Sequence, residues 1–288
     1  MYRTITPGDV STADFHQYLL AAVAPRPIAF VSTIDEEGIA NLAPYSFFNA
    51  FSSNPPILVF SSNRRVRNNT TKDTLHNVET TREAVINMVS HDIVYQAAVA
   101  GCEYTADVSE FVKAGLTPIP SDIVRPFRVA ESPVQMECKI REIISLGKHG
   151  GAGNLVICEV VKFHVKEAVL DERGKINQDK IDLMGRMGRI EYVRASGNAL
   201  LSIAQPVEPV GLGFDNLPSH LRNSMVFTGN DLAQFAGKPA FPTKEEIAAV
   251  QALPEVAIVA HDKTALHILA KAYLEKGDAI TAFAIALA

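Results

Sequence analysis

Two long runs, PVQMECKIREIISL (133 to 146) and NLVICEVVKFHVKEAVL (154 to 170), flank the glycine-rich GKHGGAG (147 to 153). Each reads as a long strand, and the glycines read as the turn that folds one back on the other. A long antiparallel hairpin of this kind argues against a sheet built from alternating βαβ units. The upstream chain agrees. IAFVSTI (28 to 34) is a buried-strand pattern, DEEG (35 to 38) a turn with Gly38 free to take positive φ, and the return strand begins at Ile39. Pro55 and Pro56 reset the chain before ILVFSS (57 to 62), and EAVINMVS (83 to 90) is a further strand. Short helices are expected between them: 14 to 23, with Phe15, Tyr18, Leu19 and Ala22 at helical spacing, then 72 to 82, 91 to 101 and 107 to 115. Strands joined mostly by tight turns, with helices inserted, predict a mainly β fold and an antiparallel barrel.

Past residue 200 the pattern changes. PVEPVGLGFDNLP (206 to 218) reads as a connector, followed by helices at TGNDLAQFAG, TKEEIAAVQAL and DKTALHILAKAYLEKG. Thr243 and Glu246 have capping-box spacing. We therefore expect a β-rich domain over 1–200 and a mostly helical C-terminal extension over 201–288. Leu266, Leu269, Ala270 and Tyr273 recur at core spacing, which predicts packing on the barrel or on a second subunit. GFDNLPSHLRNS gathers Asp215, Asn216, His220 and Arg222 in a loop, either as plain surface polarity or as a cover for a ligand mouth.

Composition excludes several classes. At 47% hydrophobic and 20% charged residues, the chain is neither disordered nor, with a net charge of −5, a nucleic-acid polycation. Its length allows about 75% of the unfolded surface to be buried, so no staple is needed. Three cysteines without CxxC spacing read as reduced core thiols. YLLAAVA (18 to 24) follows Asp9 and Asp14 rather than a basic flank, and AITAFAIALA is too short to span a bilayer. The expectation is a cytoplasmic protein without a membrane segment. No GxGxxG, GxxxxGK[ST], GxSxG or HExxH occurs, and the eight histidines are scattered, so no metal site is expected. His91-Asp92 and His261-Asp262 read as helix starts.

Two neighbouring stretches remain. NLAPYSFFNAFSSNPP (41 to 56) sets Tyr45, Phe47, Phe48 and Phe51 among small polar residues, as neither a one-faced strand nor an amphipathic helix would. SSNRRVRNNTTKDTL (61 to 75) places Arg64, Arg65, Arg67 and Lys72 just before a helix start. A basic loop there is a solvated surface, an RNA contact (though no aromatic interleaves the charges), or a cradle for one phosphate. One short strand joins the two stretches, so a ligand with one phosphate and one flat ring meets both. FMN suits that description. Main-chain N–H groups near Ser46 and Asn49 would face the ring edge, whereas Phe51 is expected to be simple packing.

RPIAFVSTIDEEGIANLAPYSFFNAFSSNPPILVFSS, followed by KDTLHNVETTREAVINMVS, resembles the flavin reductase-like family with its FMN-binding split-barrel fold, over roughly residues 10 to 195. The resemblance, which extends to flavoredoxin-like members, implies homodimers of six-stranded antiparallel barrels of Greek-key type with FMN near the interface. It implies hydride transfer from NADH or NADPH to flavin, with a monooxygenase or other acceptor downstream. The alternative within the family is a non-enzymatic FMN electron carrier serving a protein partner. Carried over by residue, Ser32, Thr33 and Asn41 fall in the first flavin-contacting hairpin. Ser46, Phe47 and Phe48 fall where the ring is lined, Ser61 and Ser62 at the next strand end, and Arg67, Lys72, Asp73 and Thr74 in the phosphate and ribityl region. His164 and Tyr192 stand where family members place a late-strand His and an aromatic over the flavin.

Overall fold

Ser11 starts the first helix: its hydroxyl accepts from the Asp14 N–H at 3.1 Å, and α1 (Thr12–Ala22) runs until Pro25 and Pro27 bar its continuation. None of its residues is fully buried, and the expected apolar spacing leaves Tyr18 and Leu19 exposed. Then β1 (Ala29–Ile34) is buried at every position. Ala29 and Val31 face one cluster of core residues, and Phe30 faces another, which is why the run carries no polar alternation. The Asp35 carboxylate accepts from the Ile39 N–H at 2.7 Å, and Gly38 takes φ 93°, turning the chain into β2 (Ala40–Tyr45).

The computed structural model describes residues 1–203 and 210–288. In it the stretch from 41 to 56 is more regular than expected: β2 ends at Tyr45, β3 (Phe48–Ser53) begins three residues on, and β4 (Pro56–Ser61) follows. α2 (Asp73–Thr81) ends on Arg82 in a left-handed conformation and leads into β5 (Glu83–Met88). A 3-10 turn at His91–Ile93 opens α3 (Val94–Val99), and α4 (Glu110–Ala114) closes on Gly115 at φ 63°. The short β6 (Pro118–Ile119) and β7 (Arg128–Val129) pair together. The long hairpin is β8 (Val134–Ser145) with β9 (Asn154–Val165). A helical turn α5 (Gln178–Ile181) precedes the hairpin of β10 (Leu183–Arg186) and β11 (Tyr192–Ala195).

Seven strands, one more than the resemblance implied, form one antiparallel sheet in the order β2-β1-β5-β8-β9-β4-β3. Its two edge strands, β2 and β3, are consecutive in the chain. Laid flat, seven strands would set those edges about 29 Å apart. The link from Tyr45 to Phe48 spans at most about 11 Å. The sheet therefore curls until its edges nearly meet, although no ladder joins them. Phe60, Ile86, Val156 and Cys158 fill the inside, while Phe30, Leu42, Ile93 and Phe111 form a second cluster with α3 and α4. Cys138 and Cys158 are the buried thiols expected; Cys102, at the end of α3, is exposed, because the chain there turns outward.

By its contacts the chain divides into Met1–Leu201 and Ser202–Ala288. The second unit holds α6 (Ser219–Arg222), α7 (Gly229–Ala236), α8 (Lys244–Gln251), α9 (Pro254–Val259), α10 (Lys263–Glu275) and α11 (Ala279–Leu287). It encloses a core of its own: Phe235 stacks on Phe283 at 4.8 Å and meets Phe227 edge-on at 5.4 Å. Leu266 and Ala270 are buried within that core, and Leu269 and Tyr273 pack against it, so the expected docking on the barrel is not what buries them. AITAFAIALA becomes α11, whose middle is wholly buried. Thr243 with Glu246, and also Thr228 with Asp231, form reciprocal capping boxes. Asp262 caps α10, as its position after His261 suggested. Residues 206–209 of the expected connector lie outside the described residues. Among those described, no helix is long and apolar enough to cross a membrane.

Candidate functional site

Where β2 hands over to β3, the chain leaves a cavity of about 410 Å³, within the size range of small-molecule sites. Phe47, Phe48 and Phe51 line it from the link and β3, Val59 and Ser61 from β4, and Leu155 with Gly153 from the start of the long hairpin. Phe51 was expected in the core. It is 68% exposed, because β3 is an edge strand paired on one side only, and Phe51 sits at the bulge between Ala50 and Ser52 with no partner in β4. The glycine turn must be glycine to lie this close. A Cβ on Gly153 would stand 2.6 Å from Ser61 Oγ, and one on Gly150 2.8 Å from the Val66 carbonyl. Ser46, half-buried, sits at the link itself.

A second, polar cavity is lined by Asn41, Arg65, Lys72, Asp73, Thr74, Glu103 and Glu110, among others. Its floor is a side-chain network. Asn41 Nδ2 donates to Thr33 Oγ1 at 3.1 Å and to Thr74 Oγ1 at 2.8 Å, and Asn77 Nδ2 donates to Thr33 Oγ1 at 3.1 Å. These bonds pin the start of α2 to β1 and β2. Glu110 holds β2 from behind, accepting from the Leu42 N–H at 2.8 Å, and burial raises its pKa. Lys72 is the N-cap of α2, and no side chain caps that helix start. Its Nζ lies 5.0 Å from the Tyr45 ring centre. Burial, then the nearby Arg65, lowers its pKa.

The four cations of the loop are not equivalent. Arg64 binds its own loop through Asn69 Oδ1 and the Asn69 carbonyl, both at 2.6 Å. Arg65 donates to Thr70 Oγ1 at 2.9 Å and to Glu103 Oε1 at 3.1 Å. Arg67, well exposed, is paired with Glu103 rather than held free for a ligand. Lys72 alone of the four has no ion pair or hydrogen bond among the described residues. Close by, the buried Tyr45 Oη and Ser62 Oγ have no hydrogen-bond partner; Ser32 Oγ also has none, but it lies on the face of β1 that Phe30 shares. Burial pushes the Tyr45 phenol up to about 12, although the Thr74 and Ser62 hydroxyls, near it but outside hydrogen-bonding geometry, pull the other way. Ser61 is satisfied by Asn63 Oδ1 at 2.7 Å. A half-buried ammonium, an uncapped helix start and unpartnered hydroxyls together form a site suited to an anion with further acceptors.

The sequence candidates thus separate. Thr33, Asn41, Ser46, Phe47, Phe48, Ser61, Ser62, Lys72, Asp73 and Thr74 gather around the two cavities and the Tyr45–Phe48 link. Ser32, two residues from Phe30 on β1, shares that residue's opposite face and does not join them. His164 does not join them: it lies nine residues along β9 from Leu155, roughly 30 Å at strand rise. Its Nε2 meets Glu137 Oε1 at 2.7 Å. Asp122, Glu137 and His164 bring ligand atoms within 4.8 Å of one another. Yet Glu137 already accepts from the N–H groups of Asp122, Ile123 and Val124 at 2.9, 2.7 and 3.1 Å, and Asp122 pairs with Lys162. Burial alone would raise the Glu137 pKa, but these N–H groups and His164 bring it down to about 2. The cluster fastens a turn. Tyr192 packs under the Arg186 guanidinium, 4.4 Å from its ring centre, and lines neither cavity. Missed from sequence were Asn77, Glu103, Glu110 and His16, whose ring stands edge-on to Phe47 at 6.0 Å. Only Asn77 left a signal, three residues after Thr74 on one helix face.

Residues 21–180 match the model of the flavin reductase like domain. An uncharacterized protein of Aquifex aeolicus is 38% identical over 198 residues, covering 69% of this chain and 96% of that relative. The solved structure of nitrilotriacetate monooxygenase component B from Bacillus cereus aligns with a TM-score of 0.65 at 30% identity, covering 70% of this chain and 99% of that one. That of 2-nitrobenzoate 2-nitroreductase from Pseudomonas fluorescens aligns at 0.63 and 28% identity, covering 73% and 100%. The family match ends before the helical unit begins.

Proposed function

Because this chain belongs to the flavin reductase-like domain family, we propose that it binds FMN and uses it to accept hydride from NADH or NADPH. The observation that carries the reading is Lys72: a half-buried, unpaired cation at an uncapped helix start, lining the same cavity as Thr74 and Asn41. Carboxylates stand near this charge, but none is bonded to it, and a phosphate would take that place. When bound, FMN supplies the two-electron acceptor chemistry. The chain's own part is to hold it. Lys72 and the first N–H groups of α2 take the phosphate, and the partnerless hydroxyls of Ser62 and Tyr45 are donors for the groups next to it. Phe47 and Phe48 give the ring an apolar wall that excludes water. No side-chain acid or base beside the cavities is required for hydride transfer, which agrees with His164 standing elsewhere.

A second copy of the chain is part of this proposal. Phe51 and Leu146 line the cavity while 68% and 62% exposed, an apolar rim that a homodimer would cover. The acceptor in this proposal is a monooxygenase or other partner, in keeping with the solved neighbour that is a monooxygenase component. A cytoplasmic setting suits its three free thiols.

The test is a titration of purified protein with FMN and riboflavin followed by visible absorbance, then NADH and NADPH oxidation with FMN alone. The expected result is FMN binding at micromolar concentration or tighter, with turnover. Failure to bind either flavin removes the reading. Binding without turnover, relieved only by a protein partner, replaces the enzyme with an electron carrier.

A further inference from the structure

We infer that Glu103 is a resident counter-ion of the phosphate cradle that weakens, and so sets, the grip on the flavin; this rests on the FMN reading above. Glu103 follows α3, far along the chain from the basic loop, yet its carboxylate reaches both Arg65 and Arg67. It lines the same polar cavity as Lys72 and Thr74. One acidic side chain therefore occupies two of the four cations that the loop brings to this place. Exposed ion pairs of this sort contribute little to folding stability, and Arg65 is already held by Thr70 and the Thr71 carbonyl. The carboxylate is not needed to build the loop. Its effect falls on an entering phosphate, which meets a like charge beside Lys72 and competes for guanidinium groups already taken. Lys72 and the helix start stay free to receive the anion, while Glu103 keeps the arginines from adding to the hold. The result is a flavin that binds and leaves, as a diffusible electron carrier must, instead of one locked in place.

The experiment compares the full-length protein with Glu103→Gln and Glu103→Asp. FMN and riboflavin affinities are measured by fluorescence titration from 25 to 300 mM NaCl, with a melting curve for each variant. Glu103→Gln should bind FMN more tightly by on the order of three- to tenfold at low salt, and the gain should shrink as salt screens it. Riboflavin, without the phosphate, should change less than twofold. Glu103→Asp, which keeps the charge, should stay within about twofold of wild type for both flavins. FMN affinity that is unchanged or lower in a folded Glu103→Gln protein overturns the inference while leaving FMN binding intact. So does equal tightening for riboflavin. Wild-type protein that binds neither flavin removes the reading beneath it instead.

Discussion

The two units treat buried polarity in opposite ways. The helical unit satisfies it: two capping boxes and the aspartates at the starts of α10 and α11 receive free N–H groups, and the buried His267 Nδ1 meets Ser224 Oγ at 2.8 Å. The β unit leaves several groups open: Arg26 Nε and Ser32 Oγ in its interior, and more beside the Tyr45–Phe48 link. There Tyr45 and Ser62 keep unpartnered hydroxyls, and Lys72 a charge without a bonded partner. An unsatisfied group inside a fold is destabilising, so its concentration beside a cavity marks where stability has been given up for binding. The helical unit, by this measure, is a self-sufficient body, and in the β unit a bound flavin, as proposed, would satisfy the groups left open beside Lys72.

The largest effect expected from that contrast is in the helical core. Phe235→Ala removes a fully buried ring between Phe227 and Phe283 and should lower stability by about 3–5 kcal/mol. Urea unfolding by circular dichroism should show the loss, with FMN affinity unchanged. A parallel fall in FMN binding would mean the units are not independent in this respect. Next is Lys72→Met, which should weaken FMN at least tenfold, about 1.5–3 kcal/mol, with riboflavin within twofold. Because it removes an uncompensated charge, the ligand-free protein should melt no lower than wild type. A lower melting temperature would show that Lys72 supports the fold.

Acid and one substitution should separate the units again. Burial, then His220 and Lys263, lowers the His267 pKa below the ordinary value of 6.5. The folded helical unit therefore binds that proton less readily than the unfolded chain, and its stability falls as pH drops below 6.5. Glu137 in the β unit behaves differently. Its contribution is full above the ordinary carboxylate value of 4.5 and is lost only as pH falls toward about 2. Burial lowers the His16 pKa in the β unit too. The wild type should therefore soften in both units below pH 6.5, and His267→Gln should remove that loss from the helical unit alone. An unchanged acid loss there, by melting between pH 7.5 and 3, would contradict the assignment. The smallest effect is Phe51→Ser, within about 0.5 kcal/mol on folding because the ring is exposed. It should nonetheless raise the concentration at which light scattering detects a dimer, and an unchanged dimer would remove Phe51 from that surface.

The hairpin of β8 and β9, the DEEG turn and the Thr243–Glu246 box were legible because each is written in residues close together in the chain. The place of Lys72 and Thr74 at a helix start was legible because a helix start is a local signal; that Asn41, at the beginning of β2, meets Thr74 across β3 and β4 was not. Phe51 was not. Aromatic residues that wall a ligand cavity have the same composition as those that fill a core, and only the pairing of β3 on a single side reveals which they are. Glu103 was invisible because its partners lie 36 and 38 positions away, beyond any periodicity. His164 misled in another way. Its strand was correctly read, but sequence does not tell how far along a twelve-residue strand a ligand lies. Cys102 looked like its two buried fellows until its place at a helix end was known.

The two-residue link between β2 and β3 also works as the clasp of a hoop. Every other boundary between neighbouring strands of the large sheet is set by a ladder, so its spacing is fixed by hydrogen bonds. Here it is fixed by chain length, with no ladder and one backbone bond, the Ser61 N–H donating to the Phe47 carbonyl of the link at 2.8 Å. Lengthening the clasp by inserted residues between Ser46 and Phe47 would break no ladder, yet it would let the hoop spring open toward the flatter twist an unconstrained sheet prefers. Two unpaired strand edges would then face solvent, ready to recruit other chains. The gauge of the opening is thus written in a count of residues, which makes a short insertion there more damaging than many substitutions in the core.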